Sequence, residues 1–336
     1  MNVVSAISRL LDDVEIDLFK QLNNLTMKKQ IHFVCILFCM GMMLFQACKK
    51  DNPAPTASFT ANIDGGVVTF TAVVTGDSKY EWDFGDGSYI NTLKAPVHTY
   101  SQVAVPVDVV VSLTIKGPGG EVTVKNTITI PAKTKLEYLT GGKPSAPSSR
   151  KWRLSINASA FIIDFATATF TPNYKTYPGG ILAAVGLSAV YNDTFEFNTD
   201  GTLTIHPNGG GIFAGYVYCL LHGIPNIGNA GGSGLTYAKP FVSPAGATFK
   251  INEGKNFTIT TSPDGANASD VTYSNVMTLS FTNGGFLGIL DSTSECIIDQ
   301  ITDTQIVAHL FVSAIPPPGQ VGKPNFALKV IFEVVP

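Results

Sequence analysis

Charge is scarce in this chain. Only 14% of its 336 residues are Asp, Glu, Lys or Arg, against roughly 25% in an ordinary soluble protein. The 22 basic and 25 acidic side chains leave a net charge of -3, a balance that argues against nucleic acid, which needs a basic face to displace its counterions. Cysteine occurs five times, and three of these, Cys35, Cys39 and Cys48, fall in the first fifty residues. The remaining Cys219 and Cys296 are too few for a disulfide-dense scaffold. The sequence contains no CxxC, HExxH, GxSxG or Walker loop, and no glycine fingerprint joining a strand to a helix. His98, His206, His222 and His309 lack metal-ligand spacing and read as strand or loop surface residues. What the chain does have is 32 glycines, 20 prolines and 45% apolar residues, without a strict period. That composition excludes collagen and a mainly disordered chain, and argues against a long-helix protein.

Met27, Lys28, Lys29 and Gln30 form a basic stretch, and Ile31 to Phe45 is almost wholly apolar, His32 being the exception. Fifteen helical residues span roughly 22 Å, short of the roughly 30 Å hydrocarbon core. The pattern is that of a secretory signal. It ends in Leu44-Phe45-Gln46-Ala47-Cys48, which resembles the lipobox of bacterial lipoproteins. That resemblance implies cleavage before Cys48 and a diacylglycerol on its thiol. Residues 48–56 read as a polar tether, and charge directly after the cysteine resembles surface-exposed lipoproteins of Bacteroidetes. The implied location is the outer membrane of a Gram-negative bacterium, lipid-anchored and facing the cell surface. Residues 1–26 do not fit that plan. Val4 to Leu22 reads as an amphipathic helix carrying Asp12, Asp13, Glu15 and Asp17, and an acidic leader is wrong ahead of a signal peptide. Translation is expected to start at Met27, with residues 1–26 a gene-start error.

Residues 57–131 read as a small all-β domain. Val67 to Val73, Val107 to Ile115 and Val122 to Ile130 alternate and are rich in β-branched residues, with Gly117-Pro118-Gly119-Gly120 as a turn. Between them lie Trp82-Asp83-Phe84-Gly85-Asp86-Gly87 and His98-Thr99-Tyr100. Together these resemble the PKD domain, an immunoglobulin-like sandwich. Trp82 and Phe84 share one strand face and fill the core. Asp83 and Asp86 read as turn locks, with a calcium or catalytic pair as the alternative. The resemblance implies a spacer or adhesion module.

Residues 132–149 form a linker that includes a Gly, Pro and Ser-rich stretch, and residues 150–336 read as a larger antiparallel β-sandwich or jelly roll. Asn252-Glu253-Gly254 is a hairpin signal between Ala247–Ile251 and Phe257–Thr260. Phe286 to Leu290 reads as a strand, and Ile181 to Val190 as a short helical turn. The stretches 191–202 and 277–288 resemble Bacteroidetes lipoproteins in which a PKD domain precedes a β-sandwich. Those proteins resemble surface glycan-binding or polysaccharide-utilisation accessory proteins. The resemblance implies a polysaccharide or oligosaccharide partner, an outer-membrane transporter complex and no catalysis.

Sugar binding needs aromatic faces with hydrogen-bonding neighbours. Tyr174, Tyr177, Tyr216 and Tyr237 are the candidates, the last two inside a segment 207–246 with ten glycines and four prolines. That segment reads either as a loop lining a groove or as a meander packing the sandwich edge. Asp193 with Glu196, and Glu295 with Asp299, are the carboxylate pairs to weigh for hydrolysis; the first is a poor couple, because residues three apart in a strand face opposite sides. No cofactor is expected, although Ser262-Pro263-Asp264-Gly265-Ala266-Asn267-Ala268-Ser269-Asp270 carries enough oxygen donors for calcium. An exported compartment permits a Cys219–Cys296 disulfide, with two buried thiols as the alternative.

Overall fold

The computed structural model describes residues 13–18, 20–21, 23–25, 27–30, 32, 52–76, 78–143, 145–157, 161–170, 175–224, 234–262, 268–313 and 323–336. Cys48, Tyr174 and residues 263–267 of the calcium candidate lie outside them. The described residues between 13 and 32 are helical and exposed. Among the described residues no helix is long and apolar enough to cross a membrane. The chain divides into two units, Met1–Tyr100 with Asp108–Ile130, and Ser101–Val107 with Pro131–Pro336.

The first unit is built from β1 (Ala57–Asp64), β2 (Val67–Val74), β3 (Lys79–Asp83), β4 (Val97–Thr99), β5 (Val107–Gly117) and β6 (Gly120–Ile130). Two three-stranded sheets, β1-β2-β4 and β3-β5-β6, enclose one core. Alternation decides which side chains enter it. In β2, Val68, Phe70 and Ala72 are buried, whereas Val67, Thr69 and Thr71 face solvent. The Trp82 ring packs 5.1 Å from Phe59 and 5.3 Å from Phe70, centroid to centroid. Each such buried aromatic contributes roughly 1.5–3 kcal/mol through removal of apolar surface from water.

The second unit contains β7 (Ser149–Leu154), β8 (Phe161–Phe165), β9 (Lys175–Tyr177), β10 (Thr194–Asn198), β11 (Leu203–His206), β12 (Ile212–Gly215), β13 (Leu235–Ala238), β14 (Thr248–Thr261), β15 (Ser269–Thr282), β16 (Glu295–Ile301), β17 (Gln305–Val312) and β18 (Phe326–Val334). The main path runs β11-β10-β7-β18-β17-β16-β15-β14, antiparallel throughout, with β8 and β9 branching from β18 and β12-β13 a separate two-stranded sheet. The all-β reading holds, and the sheet is also continuous. Its two ends meet where Leu203 N–H donates to the Ala247 carbonyl and Phe249 N–H to the Gly201 carbonyl, both at 2.9 Å. A sheet closed in this way has no open edge along that seam. One core fills its interior, from Trp152 and Phe195 on one wall to Leu279 and Leu310 on the other.

Two local expectations are corrected. Asn252-Glu253-Gly254 does not turn the chain. β14 runs straight through it, with a register shift between Asn252 and Lys255 and Gly254 at φ +65°. A glycine at positive φ serves a β-bulge as readily as a hairpin. Phe286 to Leu290 is not a strand. Phe286, Leu287 and Ile289 enter the interior as a plug. Gly288, at φ +73°, lies so close to the core that a Cβ there would come within 2.6 Å of the Phe332 ring. Ile181 to Val190 does hold a short helix, Ile181–Ala184, followed by the 3-10 turn Ser188–Asn192. A further helix, Lys135–Thr140, is started by a Thr134/Glu137 capping box. It receives the Trp152 indole N–H on the Leu139 carbonyl at 2.8 Å.

Candidate functional site

In the first unit the acidic motif residues are occupied locally. Asp83 Oδ1 accepts the Gly85 N–H at 2.9 Å, and Asp86 Oδ1 accepts the Ser88 N–H at 3.1 Å. Asp86 Oδ2 lies 2.7 Å from His98 Nε2, and the His98 ring stacks on Phe84 at 4.1 Å. Burial pushes the Asp86 carboxyl up, but bonds from Ser88 and His98 outweigh it and hold the pKa at about 2. Tyr100 Oη donates to the Phe84 carbonyl at 2.9 Å. Gly85, at φ +76°, lies against the Val110 carbonyl oxygen, where a Cβ would collide. These contacts fix a loop from which Tyr89, Ile90 and Leu93 project, 99%, 63% and 61% exposed.

In the second unit the tyrosine candidates have different settings. Tyr177 ends β9 and packs half-buried against the core, with Lys175 Nζ 4.9 Å from its ring centroid. Tyr216 begins the helix Tyr216–Leu221 and donates its N–H to the Gly234 carbonyl at 2.9 Å. Tyr237 sits opposite Phe213 in the two-stranded β12-β13 sheet, and Tyr216 follows directly on the end of β12. The Tyr237 ring is enclosed by the glycine run. A Cβ on Gly209 would lie 2.6 Å from its hydroxyl, and one on Gly211 would lie 2.9 Å from its ring edge. The glycines therefore pack this tyrosine.

That hydroxyl donates to Asp193 Oδ1 at 3.1 Å, which also accepts the Asn208 N–H at 3.1 Å. Asp193 is 2% exposed, and Oδ2 has no hydrogen-bond partner among the described residues. Burial pushes its pKa to about 7. Asp291 is a second buried acid. It accepts the Ser292 N–H at 2.6 Å and the Ser313 N–H at 3.2 Å, and burial raises it to about 6. Gly215 packs directly on its Oδ2, leaving no room for a side chain.

The other carboxylates are paired. Glu196 takes Ser149 Oγ at 2.6 Å, His206 Nε2 at 2.8 Å and Lys151 Nζ at 3.6 Å. Glu295 takes Lys255 Nζ at 2.7 Å, and Asp299 takes His309 Nε2 and Lys329 Nζ, both at 2.9 Å. Asp193 and Glu196 thus occupy separate environments, as do Glu295 and Asp299. His309, expected at the surface, is buried because its imidazole lies between this ion pair and the Phe170 ring. No group of three metal-ligating side chains occurs among the described residues. At the edge of the calcium candidate, Asp270 accepts Thr260 Oγ1 at 2.6 Å.

Of the two readings of the cysteine pair, the structure has the buried thiols. Cys219 and Cys296 are both free and buried. Cys219 lies on the helix Tyr216–Leu221, in a small cluster with Ala214 and Ala238, whereas Cys296 points from β16 into the main core. Burial pushes the Cys219 thiol to about 11 and raises Cys296 as well, so neither is an activated thiolate.

No protein-family model and no curated protein matches the chain. Solved structures similar to it over about a quarter of its length include two PKD domains. The PKD1 domain of Vibrio anguillarum Epp is 29% identical, covers 24% of this chain and 99% of its own, and gives a TM-score of 0.22. The PKD1 domain of the Vibrio cholerae metalloprotease PrtV is 28% identical, with the same coverages and a TM-score of 0.22.

Proposed function

We propose that this chain is a lipid-anchored, non-catalytic protein of an outer-membrane surface that binds a glycan through its second unit, with the first unit as a spacer. The observation that carries binding over turnover is the commitment of the acidic side chains. Glu196, Glu295, Asp299 and Glu333 each hold a basic neighbour. The two acids with raised pKa, Asp193 and Asp291, are buried and accept backbone N–H groups. Glycoside hydrolysis, the enzymatic alternative, instead needs two free carboxyls roughly 5–10 Å apart on either side of a bond. Glycan as the ligand class is supported by the sequence resemblance of the second unit and by its many aromatic and hydroxyl side chains. An outer-membrane transporter complex is the partner this reading implies. Electrophoresis of the full chain through gels carrying soluble β-glucan, xylan, mannan or pectin tests it. Retardation by at least one polymer is expected, and free migration in all of them contradicts the reading.

A second reading, adhesion through protein contact, is favoured by one observation. The loop bearing Tyr89, Ile90 and Leu93 exposes apolar side chains next to the exposed Val97, as a protein-binding surface does. It predicts that replacing Tyr89 and Ile90 with Ser abolishes co-purification with an outer-membrane protein while leaving glycan retention intact.

A further inference from the structure

Outside the main core, the second unit carries a separate aromatic layer. Along β16 and β17 the side chains alternate, so Cys296, Ile298, Leu310 and Val312 enter the interior while Ile297 and Phe311 lie on the other face. There Phe311 joins Phe257 and Tyr273, and Phe170 covers them. The Phe170 ring lies 4.0 Å from that of His309 at 13° and 4.8 Å from that of Tyr273 at 24°.

Two features of this cover are costly. Phe170 has φ +52°, a left-handed conformation that a bulky residue rarely adopts. Beneath it lie two polar atoms without hydrogen-bond partners among the described residues, Tyr273 Oη and His309 Nδ1, on side chains 2% and 4% exposed overall. A buried polar atom left unpaired forfeits the bonds it made in water, and a phenyl ring cannot replace them. The two atoms are complementary in kind. Asp299 lies at His309 Nε2 as an acceptor, so in the tautomer that carries its proton there Nδ1 presents a lone pair. Burial alone would raise Asp299, but the bonds from His309 and Lys329 hold its pKa below the ordinary value. Tyr273 Oη has a proton to give. One acceptor and one donor, flanking a flat ring, match the hydroxyls and C–H face of a sugar.

We propose that the outer face of β14–β17 beneath Phe170 is the sugar subsite of this protein: a pyranose ring displaces Phe170, stacks on Tyr273 and Phe311, and bonds Tyr273 Oη and His309 Nδ1 through its hydroxyls. This rests on the glycan reading above and assigns it a place distinct from Tyr177, Tyr216 and Tyr237. Displacement releases Phe170 from its unfavourable backbone conformation and satisfies both orphaned atoms at once.

The experiment uses the full chain, its Tyr273→Phe and Phe170→Ala variants, and the same four-polymer gels. Tyr273→Phe deletes one hydroxyl and no packing, so its melting temperature should equal or exceed that of the parent. Its retention constant on the polymer that retards the parent should fall roughly three- to tenfold, the worth of one hydrogen bond. Phe170→Ala removes the competitor and should tighten retention. A merely structural Tyr273 would lower melting temperature and retention together, which overturns the proposal. Retention of both variants within twofold of the parent also overturns it, while leaving the glycan reading intact. Failure of the parent chain to be retarded by any polymer overturns both.

Discussion

Burial holds the Asp193 carboxyl at a pKa of about 7 and Asp291 at about 6, against an ordinary 3.8. For such groups the folded state binds the proton more tightly than the unfolded chain. Their contribution to stability is complete below pH 4 and is lost as pH rises towards 6 and 7. The melting temperature of the second unit should therefore fall by several degrees between pH 5 and pH 8, and Asp193→Asn should flatten that slope in a differential scan. A slope that Asp193→Asn leaves unchanged would show that the carboxyl does not carry it. Asp86 works in the opposite sense. Held at about 2, it stabilises the first unit above pH 4, and that contribution is lost as pH falls towards 2. Trp82 belongs to the same scale. It is fully buried between Phe59 and Phe70, so Trp82→Ala should cost the first unit roughly 3–5 kcal/mol in urea denaturation. These roles were readable in the sequence wherever they depend on near neighbours. Trp82-Asp83-Phe84-Gly85-Asp86-Gly87 announces both the buried face and the turn. Asp193 was paired in the sequence with Glu196 and not with its hydrogen-bonding partner Tyr237, because that tyrosine lies 44 residues away in the chain.

Elements were legible where period and turn chemistry agreed. The β10-β11 hairpin turns at Asp200-Gly201, with Asp200 Oδ1 accepting the Thr202 N–H at 2.9 Å, and β2 follows a strict alternation. They were illegible where one residue type serves two geometries. Gly254 reads as a turn and acts as a bulge, and the apolar stretch Phe286 to Leu290 reads as a strand and acts as a plug. The plug yields a test. Gly288→Val would drive a side chain into Phe332 and Leu310 at a backbone angle that valine avoids. The expected result is a second unit destabilised by more than about 2 kcal/mol, read as a lower urea midpoint for Trp152 fluorescence.

For the whole molecule, the decisive feature of the second unit is closure of its sheet, and no local pattern contains it. The seam joins Gly201–Leu203 to Ala247–Phe249, more than forty residues apart. Phe170, Tyr273 and His309 are likewise brought together from separate stretches, so the sequence pointed to the tyrosines of the glycine-rich segment instead. Each unit has its own core and one of the chain's two tryptophans, Trp82 in the first and Trp152 in the second. Trp152→Phe and Trp82→Phe should therefore report two unfolding transitions with different urea midpoints. A single shared midpoint would contradict independent cores.

The role proposed for this chain is that of a sugar-holding module displayed outside the cell on a lipid. Fluorescent polysaccharide, of whichever type retards the chain in gels, applied to intact cells producing it, tests placement and binding in one reading. Cells with the parent chain should become labelled, and cells with Cys48→Ala should lose the label while making equal amounts of protein. Equal labelling of the two, or none with the parent, would contradict it.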